Sequence, residues 1–104
     1  MFSFLKSKES ITTQELDTMN KAKMQLIDVR SPEEYRLGHI KEAKNVPLHT
    51  IKGFEGNKQE KVYVICQSGP RSMQAVRYLN SVGYEAVNVS GGMNQWVGKV
   101  QRGV

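Results

Sequence analysis

The chain has 104 residues, 38% of them hydrophobic, with 15 Lys+Arg against 10 Asp+Glu and a formal net charge of +5. That length supports one domain with a modest core and is too short for two. One cysteine excludes an internal disulfide, and lysines spread from Lys6 to Lys99 without a tract point to a solvated basic surface, not a nucleic-acid patch.

The apolar patch in Met1-Phe2-Ser3-Phe4-Leu5-Lys6 is too short for a signal peptide or a membrane span. Residues 1–10 therefore read as an N-terminal extension that packs on the domain or frays. No targeting signal appears, so a cytoplasmic location is expected. No internal repeat or linker interrupts the chain, and 1–104 reads as a single domain with its core at about 11–98.

A short strand at Ile11 enters a helix in which Thr12 and Glu15 have the spacing of a capping box, with Leu16 and Met19 facing the core. Asn20-Lys21-Ala22-Lys23 ends that helix. Met24–Val29 reads as a second strand, with Asp28 at its carboxyl end and Arg30 two residues on. Sites in open α/β sheets form at the carboxyl ends of the strands. Asp28 and Arg30 therefore either shape a site or act structurally, Asp28 accepting from loop backbone and Arg30 tying loops together; the structural role is preferred.

Ser31-Pro32-Glu33-Glu34 carries an N-cap, a proline at the first helical position and a capping-box glutamate. That short helix should end at Gly38. Ala43–Leu48 reads as a short strand closed by Pro47, and residues 51–60 as a loop or one helical turn with Phe54 as a core plug. His39 lies in a structural segment and is read as a buried or capping residue, His49 as exposed. Two histidines and one cysteine without ligand spacing make no metal site.

The stretch Lys61–Ser72 organises the rest. Val62–Ile65 is a buried strand pattern ending at Cys66, the only cysteine. Gln67-Ser68-Gly69-Pro70 turn the chain. Met73, Val76, Leu79 and Val82 then follow at helical spacing. A helix start offers unpaired N–H groups and partial positive charge, which together stabilise an anion. Taken alone, a free cysteine is most often a small buried hydrophobe; the turn and Arg71 favour a thiolate. A helix terminus worth up to ~2 kcal/mol, at ~1.36 kcal/mol per unit, would move a thiol pKa from ~8.5 toward ~7. Arg71 folded over the loop would push the same way.

Gly83 stops that helix. Tyr84–Val89 reads as the last strand, and Gly91-Gly92 as a sharp turn permitting positive φ and close backbone approach. A final helix is expected through Met93, Trp96, Val97 and Val100, with Trp96 anchored in the core. Strands alternating with helices predict an α/β fold, a mainly parallel central sheet of about five strands flanked by helices on both faces.

Three motifs in order now resemble a known family. Leu26-Ile27-Asp28-Val29-Arg30 with Glu34-Tyr35, Gly38-His39-Ile40, Ala43 and Asn45-Val46-Pro47 is similar to the first signature of rhodanese-like sulfurtransferases. Val64-Ile65-Cys66 through Arg71-Ser72 is similar to their active-site loop, and Gly83-Tyr84, Val87, Gly91-Gly92 and Trp96 to their closing signature. Two departures stand out. Lys41-Glu42 replace the family's usual Pro-Gly, and Pro70, lacking an N–H, cannot join a cradle of donors. Gln67, Ser68, Gly69, Arg71 and Ser72 must then supply it, with Pro70 at the first helical position.

The resemblance implies a rhodanese-like fold and a thiosulfate sulfurtransferase-like enzyme in which Cys66 carries a persulfide. Its partners would be a small anionic sulfur donor held by Arg71 and, at the rim, Arg30, and a thiol or cyanide acceptor, with a protein persulfide as a further donor. No cofactor, metal, nucleic acid or membrane is expected. Four residues separate Cys66 from Arg71, where phosphatase and arsenate reductase relatives have five, so those chemistries rank low. The other reading is a persulfide carrier module fed by a protein donor.

Overall fold

The computed structural model describes residues 10–104; the apolar patch at Met1–Lys6 lies outside the described residues. In chain order the elements are β1 (Ser10–Thr12), α1 (Thr13–Asp17), β2 (Gln25–Asp28), α2 (Pro32–Leu37), β3 (Lys44–Asn45), β4 (Val62–Ile65), α3 (Pro70–Ser81), β5 (Ala86–Ser90) and α4 (Gly92–Gln95). Single 3₁₀ turns at Lys21–Lys23 and Leu48–Gly53 join them.

The strands lie in the order β1-β5-β4-β2-β3, and every pairing is parallel. All strands therefore point one way, and every strand-to-helix connection leaves from the same edge. β4 is the middle strand, in register Val62–Ala86 with β5 and Gln25–Val62 with β2. Cys66, one residue past its end, thus emerges at the centre of that edge.

The period of two along the strands sorts the core into two layers. Ile27, Val62 and Val64 face one side, where Ala75, Val76 and Leu79 of α3 cover them together with Ile51. Leu26, Ile65 and Val89 face the other, beneath Leu16 of α1, Ile40, Met93 and Trp96. Phe54 lies against the first layer beside Tyr84, as a partly buried plug.

Local chemistry sets the helix starts. Thr12 with Glu15, and Ser31 with Glu34, form reciprocal capping boxes, and Pro32 and Pro70 each open a helix. α3 stops where expected, at Gly83, whose φ of +104° is strained for any side chain.

The last helix differs from expectation. It is one turn long, and the chain is extended from Trp96. Val97 and Val100 are 84% and 44% exposed, not core-facing. Residues beyond the turn are drawn away to pair with His39: its N–H donates to Gln101 O at 2.9 Å and its carbonyl accepts from Gln101 N at 2.8 Å. The Trp96 Nε1–H, donating to Lys99 O at 3.0 Å, fixes the same bend. Among the described residues no helix is long and apolar enough to cross a membrane.

Leu79 has no exposed surface and joins α3 to the sheet. Leu79→Ala is expected to cost roughly 2–5 kcal/mol, read by thermal or urea unfolding.

Candidate active site

Cys66 caps α3. Position N-cap is Gly69, which has no side chain to offer the helix; its φ of +133° swings the loop around the sulfur. Gly69 N–H donates to Cys66 Sγ at 2.9 Å. The Sγ–H donates to Ser72 Oγ at 3.3 Å, and Ser72 Oγ–H has Gly69 O at 2.9 Å and Asn88 Oδ1 within reach. The sulfur therefore stands where an Asp or Ser side chain would ordinarily accept the first N–H groups of a helix.

Two opposing effects act on the thiol. Burial raises its pKa. The Ser72 hydroxyl and the backbone N–H groups of Ser72, Gly69 and Ser68 lower it, and the net result lies below the ordinary value of 9.0. Pro70 fills the first helical position, where its missing N–H costs nothing. Gln67 reaches outward: its Oε1 accepts from Arg30 NH1 at 3.0 Å and its Nε2 donates to Asn94 Oδ1 at 2.6 Å.

The outer side of the loop is clamped by the start of α4. Met93 N–H donates to Cys66 O at 2.8 Å and Asn94 N–H to Gln67 O at 2.9 Å. Gly92 makes this approach possible. A Cβ there would lie 2.5 Å from Cys66 O and 2.6 Å from Gln67 O, and its φ is +58°.

Asp28 and Arg30 are both buried and act as a brace. Arg30 Nε and NH2 donate to the Asp28 carboxylate at 2.8–3.1 Å, Arg30 N–H donates to Asp28 Oδ1, and NH2 also reaches Gly38 O at 2.8 Å. One side chain thus ties the end of β2, the end of α2 and Gln67.

Arg71, expected from the sequence as a cation near the cysteine, interacts electrostatically with Cys66 but has its own partner. Its guanidinium forms a two-pronged ion pair with Glu34, NH1 to Oε1 at 2.6 Å and NH2 to Oε2 at 3.0 Å. Arg71 holds the Glu34 carboxyl down to about 2, against burial, with help from Ser31. His39 is buried away from this chemistry, stacked on Tyr35 at 3.6 Å with its Nδ1 2.7 Å from Tyr35 O, and His49 is exposed.

Glu34, Asn88, Met93 and Asn94 join the site without having been singled out as site residues. Glu34 follows a strand that ends at the same edge, and Asn88 is a polar residue within the otherwise apolar run Ala86–Val89; both were available signals. A cleft of about 340 Å³ beside the loop is walled by Glu34, Leu37, Gln67, Met93 and Val100. A larger one of about 560 Å³, around Trp96 and Lys41, shares no residue with the loop.

The fold and site together are those of a parallel five-stranded α/β domain with a cysteine loop at its central strand. The family model of the rhodanese-like domain matches residues 12–99, and the chain belongs to that family. The crystal structure of a rhodanese-like domain protein from Staphylococcus aureus superposes with a TM-score of 0.81 at 39% identity, over 92% of this chain and 99% of that one. The putative sulfurtransferase YtwF of Bacillus subtilis is 42% identical over 73% of this chain and 76% of its own length. The adenylyltransferase and sulfurtransferase uba4 of Ogataea parapolymorpha is 34% identical over 91% of this chain, which spans only 25% of that protein.

Two expectations follow. Gly92→Ala forces the Cys66 and Gln67 carbonyls apart and strains φ, and should cost roughly 1–3 kcal/mol, seen as a lower Tm. The Glu34 carboxyl is depressed, so the stability that its pair with Arg71 supplies is present above pH 4.5 and lost as pH falls toward about 2. The Tm difference between wild type and Glu34→Gln should be flat above pH 4.5 and shrink below it.

Proposed function

We propose that this chain is a sulfurtransferase that carries sulfane sulfur as a persulfide on Cys66. The observation that supports this best is the sulfur itself, buried at a helix start, faced by N–H groups and held toward its thiolate form. The thiolate attacks the outer sulfur of a donor such as thiosulfate. The S–S bond of the donor breaks, sulfite leaves with the electron pair, and Cys66 keeps the sulfur. A thiol or cyanide then attacks the terminal sulfur, and the Cys66 thiolate departs. The N–H groups of Ser68, Gly69 and Ser72 stabilise the anionic sulfur at each stage.

Ring size supports sulfur over phosphate. Four residues between Cys66 and Arg71 make a loop narrower than a tetrahedral phosphate prefers. The relative named as a sulfurtransferase supports the same chemistry. A lone reduced thiol fits a cytoplasmic setting.

The second reading is a relay that takes its sulfur from a protein persulfide. It is favoured by the pairing of both arginines: a small anion must compete with Glu34 for Arg71 and with Asp28 for Arg30, whereas a protein persulfide needs neither guanidinium. The similarity to one segment of a much longer adenylyltransferase and sulfurtransferase points the same way.

Intact mass after incubation with thiosulfate tests the first reading. A gain of roughly 32 Da, reversed by cyanide and absent in Cys66→Ala, is expected. Loading should quicken with pH and pass its half-maximal rate below pH 9.0, because only the thiolate attacks and its pKa lies below that value. No gain from thiosulfate, with a gain from a persulfidated protein, selects the relay. No gain from either overturns both readings.

A further inference from the structure

The Ser72 hydroxyl sits among three acceptors. Its Oγ lies 2.9 Å from Gly69 O, 2.5 Å from Asn88 Oδ1 and 3.3 Å from Cys66 Sγ. All three side chains in this cluster are buried, Cys66 and Ser72 at 0% exposure and Asn88 at 5%. A hydroxyl carries one hydrogen. While Cys66 is a thiol the arrangement balances: S–H donates to Ser72 Oγ, and the Ser72 hydrogen goes to Asn88 Oδ1.

Losing the thiol proton breaks that balance. A thiolate is the strongest of the three acceptors, so the Ser72 hydrogen belongs on sulfur. Asn88 Oδ1 then faces a Ser72 lone pair with no hydrogen between them, in a buried site where an unmatched acceptor is costly. The Asn88 amide has a way out. Its Nδ2 makes no hydrogen bond with any described residue and is not a buried unpartnered atom, so it meets solvent and no protein bond holds its orientation. A half-turn exchanges two atoms of nearly equal size and leaves the packing unchanged.

We propose that Asn88 is a positioning residue for the Cys66 thiolate: its amide turns over as the sulfur loses its proton, so that Nδ2 donates to Ser72 Oγ and the Ser72 hydrogen is delivered to Sγ. The thiol proton goes to solvent. The Ser72 hydrogen stays on Oγ throughout and only changes direction, so no redox step is involved. The chain Asn88 N–H, Ser72 O–H, sulfur anion is polarised in one sense, and each bond strengthens the next. Its use in turnover rests on the sulfur-transfer reading above, in which the thiolate is the nucleophile.

The charged groups around the sulfur are Arg71 of α3 with Glu34 of α2, and the Asp28–Arg30 pair at the end of β2. β5 and α4 contribute only neutral side chains. None of these charges changes in Asn88→Leu or Ser72→Ala.

The test is a pH titration of thiolate ultraviolet absorbance, taken as the difference from Cys66→Ala. With one cysteine in the chain, the signal reads Cys66 alone. Asn88→Leu is expected to raise the midpoint by roughly half a unit to one unit, about three- to tenfold less thiolate below it. Ser72→Ala should raise it at least as far, and the double variant no further than Ser72→Ala. An unmoved midpoint in Asn88→Leu, or an undiminished shift in the Ser72→Ala background, overturns the proposal. Should Asn88→Leu fail to fold, Asn88→Asp decides: a carboxylate only accepts, so it should raise the midpoint more with Ser72 present than with Ser72→Ala, and equal rises overturn the relay. The titration uses no sulfur donor, so its outcome is independent of whether Cys66 loads.

Discussion

The backbone carbonyls of Cys66 and Gln67 are gripped by the N–H groups of Met93 and Asn94, and the geometry of the loop depends on that grip. It fixes which way the peptide planes after β4 face. With the carbonyls turned outward to α4, the following N–H groups are free to turn inward to the sulfur. The grip exists only because Gly92 lacks a Cβ and adopts a φ of +58°, and because β4 and β5 are parallel neighbours whose ends reach the same edge. The sheet topology, the Gly-Gly turn and the environment of one sulfur atom are therefore a single constraint.

Around this ring the charges are arranged in closed pairs. Arg30 is consumed by Asp28, Gly38 and Gln67, and Arg71 by Glu34. Arg30 is buried, where leaving a guanidinium unpaired would be costly, so its pairing also keeps the loop at one distance from α2. The Glu34–Arg71 pair is about one-third exposed on each side, and solvent weakens it accordingly. The inner pair is a brace and the outer one a contact that a competing anion can open.

Most of this framework is written locally and could be read from the chain. Capping boxes at Thr12 and Ser31, prolines at first helical positions, and glycines at 69, 83 and 92 each encode their turn within three or four residues. What escaped reading depends on partners far apart in sequence. Val97 and Val100 continue a helical spacing, yet the pairing of His39 with Gln101 pulls them out of it. Glu34 satisfies its capping box, and its second role, toward Arg71 across 37 positions, is signalled only by the strand before it ending at the same edge. Arg71 was legible as a cation near the cysteine; that its charge is already answered was not.

The sulfur of Cys66 has no exposed surface, and these 104 residues hold no second thiol. No internal disulfide can form to shield or to regenerate it. Burial that shields the atom from stray oxidants and soft metal ions also sets a condition on turnover: a donor or an acceptor reaches the sulfur only as the loop around it gives way.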